Sequence, residues 1–192
     1  MQLPWDEHFY EIVIPAWQAY LEAETRLTNA INAKNGEASK RAGYDALREG
    51  GAATIYMHHF ADVVIRARPE WLPAELRSPG ELRRWLRGYC TMLRTEEHAA
   101  DVELCGDVAD ALKHAILTRN LDMRQIREND AVLALGTGYG ELSHGEGKYG
   151  GMQQVLVLAN SGTRALSRVL QNVVDAWRRA AGLDLPAVGL AQ

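Results

Sequence analysis

The sequence predicts a mostly α protein: a bundle of four to five helices with one antiparallel β-hairpin, at about residues 130–160, ahead of the C-terminal helix. Three observations lead there. Apolar residues recur at helical spacing over most of the chain. Residues 136–151 break that pattern, reading Gly-Thr-Gly-Tyr-Gly-Glu-Leu-Ser-His-Gly-Glu-Gly-Lys-Tyr-Gly-Gly between apolar runs at 131–135 and 155–159. That is the layout of a hairpin with a long glycine-rich tip. Finally, 192 residues at 47% hydrophobic and 24% charged suffice for a single domain over 1–192 with its own core, without disulfides or a structural metal.

The first helical stretch covers about residues 6–33, with Trp17, Tyr20, Leu21, Glu24, Leu27, Thr28 and Ile31 on one face. Pro15 either starts the main helix or kinks a longer one, because it has no N–H to donate. Asn35-Gly36 is a turn. The second helix covers about 37–67, with Ala53, Met57, Phe60 and Val64 as its stripe, and Gly50-Gly51 either weakening or breaking its middle. Pro69 and Pro73 mark a connector at 68–78.

Ser78-Pro79-Gly80-Glu81 is a helix start, with Ser at the cap, Pro at the first position and Glu three residues after the cap. A helical pattern then runs to about residue 118. Its two apolar stripes, Leu82 to Leu93 and Cys105 to Ile116, are rotated by more than a right angle. Either the chain breaks near residues 94–97 or the halves face different neighbours. Asn160-Ser161-Gly162-Thr163 reads as a turn and cap. The last helix places Leu166, Val169, Leu170, Val173, Val174 and Trp177 on one face and ends at Gly182. Residues 183–192 read as a frayed tail.

Net charge is −4, so bulk composition gives no expectation of a nucleic-acid partner. Arg164, Arg168, Arg178 and Arg179 read as an exposed basic edge of the last helix. No apolar run is long enough for a membrane span and no signal-peptide pattern opens the chain, so the expected setting is a soluble, cytoplasmic protein. The Ala-, Arg- and Leu-rich usage fits a bacterial source. Cys90 and Cys105 show no C-x-x-C spacing and read as small buried hydrophobes.

Two sets of residues are candidates for function. The first is the hairpin tip. Gly145 to Gly150 spells G-x-G-x-x-G, but a strand rather than a helix follows, which excludes a dinucleotide fingerprint. Lys148 precedes Tyr149 rather than Ser or Thr, so there is no P-loop. The tip reads instead as a self-packed loop, or as an interaction arm on a second subunit or a protein partner. In the arm, Tyr139 and Tyr149 are amphipathic anchors beside Glu141, His144, Glu146 and Lys148. A third reading lets Glu141, His144 and Glu146 converge on a cation.

The second set breaks the apolar faces. Glu24 lies mid-stripe, and His58/Asp62 and His98/Asp101 are His–carboxylate pairs at helical spacing. Buried polar groups must find partners. If these five met, two imidazoles and three carboxylates would suit a divalent metal (Zn, Mn or Fe) and metal-assisted hydrolysis or lyase chemistry. A structural His–Asp pair is the plainer reading, and neither H-E-x-x-H nor a helical E-x-x-H is present. Glu96, Glu103, Asp107, Asp110 and His114 share a sector that reads as a solvated acidic face. No nucleophile motif occurs. The sequence thus favours a non-catalytic homo-oligomeric interaction protein, with a metal-dependent helical enzyme as its competitor.

Overall fold

The computed structural model describes residues 3–91, 96–113, 125–126, 131–133, 154–160 and 162–183. The chain is mostly α, with short antiparallel strands before the C-terminal helix. Helix α1 (Trp5–His8), a π turn (Phe9–Val13) and α2 (Ile14–Asn32) run end to end. Pro15 accounts for the π turn. Its ring crowds the carbonyl one turn back and it has no N–H. The wider turn just before it, in which the Ile14 N–H bonds the Phe9 carbonyl, absorbs the misfit. Pro15 therefore sits inside a continuous helix.

Residues 33–35 link α2 to α3 (Gly36–Ala67), with Lys34 at φ 54°. So short a link between helices that pack together folds α3 back along α2. Asn35 caps α3 by accepting the Ala38 N–H at 3.1 Å. Gly50 and Gly51 do not break α3; they let its neighbours close in. A Cβ at Gly50 would lie 2.9 Å from Leu166 Cδ2 and 3.1 Å from Tyr20 Cε2. One at Gly51 would lie 3.1 Å from Leu112 Cδ1. Ala53, Met57, Phe60 and Val64 are buried as the periodicity requires.

After α3 the chain turns at Arg68, which is left-handed at φ 52°. Its guanidinium donates to the carbonyls of Ala74, at 3.0 Å, and Leu76, fixing the connector. Helix α4 (Pro79–Leu86) opens on a complete capping box: Ser78 Oγ accepts the Glu81 N–H, and the Glu81 carboxylate accepts the Ser78 N–H at 2.8 Å. A 3₁₀ turn (Arg87–Tyr89) follows and Cys90 is extended. The break in the long helical pattern thus begins at Arg87, ahead of residues 94–97. Helices α5 (Glu96–Ala99) and α6 (Asp101–Lys113) come next.

The strands are β1 (Val132–Leu133), β2 (Leu156–Ala159) and β3 (Gly162–Ala165), in the order β1-β2-β3, all antiparallel. The pairing Val132↔Val157 and Leu133↔Leu156 forms the base of the expected hairpin. β3 is a correction: residues 160–163 do not cap the last helix. Instead Gly162 and Thr163 belong to β3, Gly162 takes φ 136°, and α7 (Leu166–Ala181) starts after Ala165 without a side-chain cap. Gly182, at φ 65°, ends α7, and the Leu183 N–H still bonds the Arg178 carbonyl at 3.0 Å. Residues 184–192 of the expected frayed tail lie outside the described residues.

The core is one cluster drawn from all the long helices and the strands. An aromatic line crosses it, with Phe9 to Phe60 ring centroids 5.3 Å apart and Phe60 to Trp177 4.8 Å. Trp17, Tyr20, Leu27 and the apolar face of α7 complete it. Each such aromatic removes a large area from water, so this line ties the π turn, α3 and α7 together.

Gly50→Ala tests the close approach. Alanine should gain about 1 kcal/mol in helix propensity. Overpacking against the buried Tyr20 ring and Leu166 costs about 1–3 kcal/mol. We expect a net loss of stability in urea unfolding, and a net gain would show slack at this crossing.

Candidate functional site

The polar residues on apolar faces all have definite positions. Glu24 is fully buried on α2. Its carboxylate accepts the Tyr20 hydroxyl at 2.6 Å and the Val155 N–H at 3.0 Å. It thus supplies the acceptor for a backbone amide at the foot of β2. Burial, with Glu24 beside it, raises the Tyr20 phenol well above its ordinary value, so that hydroxyl stays a donor.

Asp101 is also fully buried, at the start of α6. Arg164 of β3 grips it with both ends of its guanidinium fork, at 2.7 and 3.1 Å. Asn172 of α7 donates to Asp101 at 2.8 Å and to the His98 carbonyl at 2.9 Å. Burial pushes the Asp101 carboxyl up while Arg164 and Asn172 pull it down. Arg164 therefore belongs to the interior, at 3% exposure, and not to a basic edge.

His58 and Asp62 do not pair. Asp62 meets His59 Nδ1 at 3.2 Å on the surface, and Lys113 approaches the other nitrogen of His59. His58 turns the other way, toward Arg83. The Arg83 guanidinium lies 3.1 Å from His58 Nε2 and donates to the His58 carbonyl at 3.2 Å. The same guanidinium nitrogen is 3.4 Å from His58 Nδ1, so it lies against both ring nitrogens rather than on the in-plane lone pair of one. Burial, then Arg83, lowers the His58 pKa to about 4. Gly106 makes room for this ring: a Cβ there would lie 2.8 Å from His58 Nδ1. Among the described residues, no three His, Cys, Asp or Glu side chains form a group able to hold a metal ion. Glu24, His58, Asp62, His98 and Asp101 are thus not brought together in that way.

The described residues do form a cavity of about 530 Å³ where α3, α4 and α6 meet. Arg83, Arg84 and Arg87 come from α4 and the turn after it; Glu103, Asp107 and Asp110 come from α6; His58 comes from α3. Of the expected solvated acidic face, Glu103, Asp107 and Asp110 are therefore a cavity wall, while His114 and the Glu96 side chain lie outside the described residues. Asp107 accepts the Gln125 N–H at 2.7 Å, and Glu103 lies 3.7 Å from Arg87. Burial raises the Glu103 carboxyl above its ordinary value. The acidic sector of α6 is legible in the sequence, whereas the basic wall of Arg83, Arg84 and Arg87 and its place opposite that sector are not. Gly106 was the available signal, since a glycine inside a helix needs a packing reason.

Cys90 and Cys105 are buried free thiols. Burial pushes Cys90 up to about 12 and Cys105 higher still, so both are inert as nucleophiles. The interaction residues expected at the hairpin tip (Tyr139, Glu141, His144, Glu146, Lys148 and Tyr149) lie outside the described residues.

Comparison with known proteins adds no relative. No family model, curated protein or solved structure matches the chain.

Two outcomes follow from this geometry. Arg164→Met strands a buried carboxylate and should cost about 3–5 kcal/mol in urea unfolding. Adding Asp101→Asn should recover part of that loss, because the charge is then gone. His58 generates a pH dependence. Its folded pKa, about 4, is below its ordinary 6.5, so the unfolded chain binds the extra proton first. Its contribution to stability is complete above pH 6.5 and is lost as pH falls from 6.5 to about 4. The loss is on the order of 2 kcal/mol. His58→Gln should flatten that part of the stability profile.

Proposed function

We propose that this protein is a non-catalytic interaction module, cytoplasmic and homo-oligomeric, whose glycine-rich segment at 136–151 is the contact element. The observation that supports this reading best is the bond from the Val155 N–H to Glu24. It ties the foot of β2, where the chain leaves that segment, to the middle of α2. Three further ties surround it. β1 pairs with β2 across the base of the segment. Gln125 bridges the Asp107 carboxylate to the Asn160 N–H, the latter at 2.8 Å. Arg164 pins β3 to Asp101. A two-stranded ladder this short is marginal by itself, so these ties supply the anchoring that pairing alone does not.

Anchoring of this kind suits display. A segment whose β2 end is tied to α2 by a buried polar bond and whose β1 end pairs with β2 has a fixed base, and Tyr139 and Tyr149 bring the large amphipathic contact area that interface centres use. Two free, buried thiols fit a reducing compartment. Among the described residues no helix is long and apolar enough to cross a membrane.

Light scattering on the full chain tests the reading. A dimer or larger species is expected, and replacing residues 138–149 by a short turn should convert it to monomer with the helical content unchanged. A parent protein that is already monomeric, or an oligomer indifferent to the replacement, would refute the assignment.

A further inference from the structure

We propose that the cavity between α3, α4 and α6 binds a small zwitterion of amino-acid type, with the ligand carboxylate on the arginines of the α4 wall and the ligand ammonium on Glu103 of α6. Charge segregation is the first argument. Arg83, Arg84 and Arg87 stand on one wall and Glu103, Asp107 and Asp110 on the other. Formal charge across the cavity sums to zero, but it is separated in space. A plain anion drawn to the arginines would face three carboxylates, and a plain cation the reverse. A molecule carrying both charges a few bonds apart matches both walls.

Across the cavity Arg87 and Glu103 meet only loosely. Arg87 and Glu103 are 3.7 Å apart, well beyond the roughly 2.8 Å of a charge-assisted hydrogen bond. Arg84 is exposed and makes no ion pair among the described residues. Glu103 Oε2 is shielded from water, yet it has no hydrogen-bond partner among the described residues. A buried carboxylate oxygen without a donor costs free energy, and an ammonium brings three donors. The volume, about 530 Å³, falls in the range of small-molecule sites. His58 adds a polar ring without adding charge, so the balance between the walls is undisturbed at neutral pH.

Isothermal titration calorimetry and thermal shift on the full chain test this. The probes are the common α-amino acids, with acetate, methylamine and inorganic phosphate as one-ended controls. At least one amino acid should bind with unit stoichiometry, and every control should bind at least about tenfold more weakly. Arg84→Gln and Glu103→Gln should each weaken that amino acid by about tenfold or more, while circular dichroism shows the fold retained. Arg84 is exposed, so its variant keeps the test decisive should Glu103→Gln fail to fold. The proposal is overturned if no amino acid binds, if phosphate binds more tightly than every amino acid, or if Arg84→Gln binds as the parent does.

Discussion

Asp101 carries a carboxylate into the interior, and the rest of the described fold is arranged around cancelling it. Taking a carboxylate and a guanidinium out of water costs several kcal/mol each, and only close, multiply bonded geometry offsets that. Here the offset comes from a forked contact with Arg164 and a third bond from Asn172. The three residues belong to α6, β3 and α7, so a single charge fixes the relative placement of a helix, a strand and the C-terminal helix. The cavity wall on α6 and the sheet below the glycine-rich segment both depend on that placement.

Glu24 solves a related problem with the opposite starting point. There the group in need is a backbone N–H, Val155, at the inner end of a strand that has left the ladder of β1. An unpaired buried amide costs about as much as a lost hydrogen bond, and a helix offers no free backbone acceptor in its middle. A side chain long enough to reach out from α2, placed on the buried stripe, supplies one. Glu24 and Asp101, which interrupt apolar faces of this chain, thus mark where helices are joined to the strand segment.

How far the sequence could be read follows from the range of the interactions. Long amphipathic stretches were legible because burial repeats at helical spacing; α7 buries the face that its periodicity picks out, and the Ser78–Glu81 cap is local. β3 was not legible. Thr163-Arg164-Ala165 contains good helix formers, and what makes it a strand is pairing with β2 and the pull of Asp101, 63 positions away. His58 and His59 illustrate the limit at a candidate site. Both lie within reach of Asp62 on one helix, at i, i+4 and i, i+3. Which of them takes it depends on Arg83 and Gly106, residues of other helices that periodicity cannot place. Gly50-Gly51 misled for the same reason: helix propensity counts against glycine, whereas contact with Tyr20, Leu166 and Leu112 requires it.

The width of the cavity and the charge state of His58 are one constraint. Arg83 of α4 rests on the ring and the carbonyl of His58, and the same ring lies against Gly106 of α6. A protonated ring would repel Arg83 at this distance, and burial keeps the ring neutral. Arg87 and Glu103 meet across the gap as a loose ion pair at 3.7 Å. The capping box at Ser78 fixes the start of α4, Leu82 and Leu86 hold its inner face in the core, and Arg83, Arg84 and Arg87 are left to line the gap.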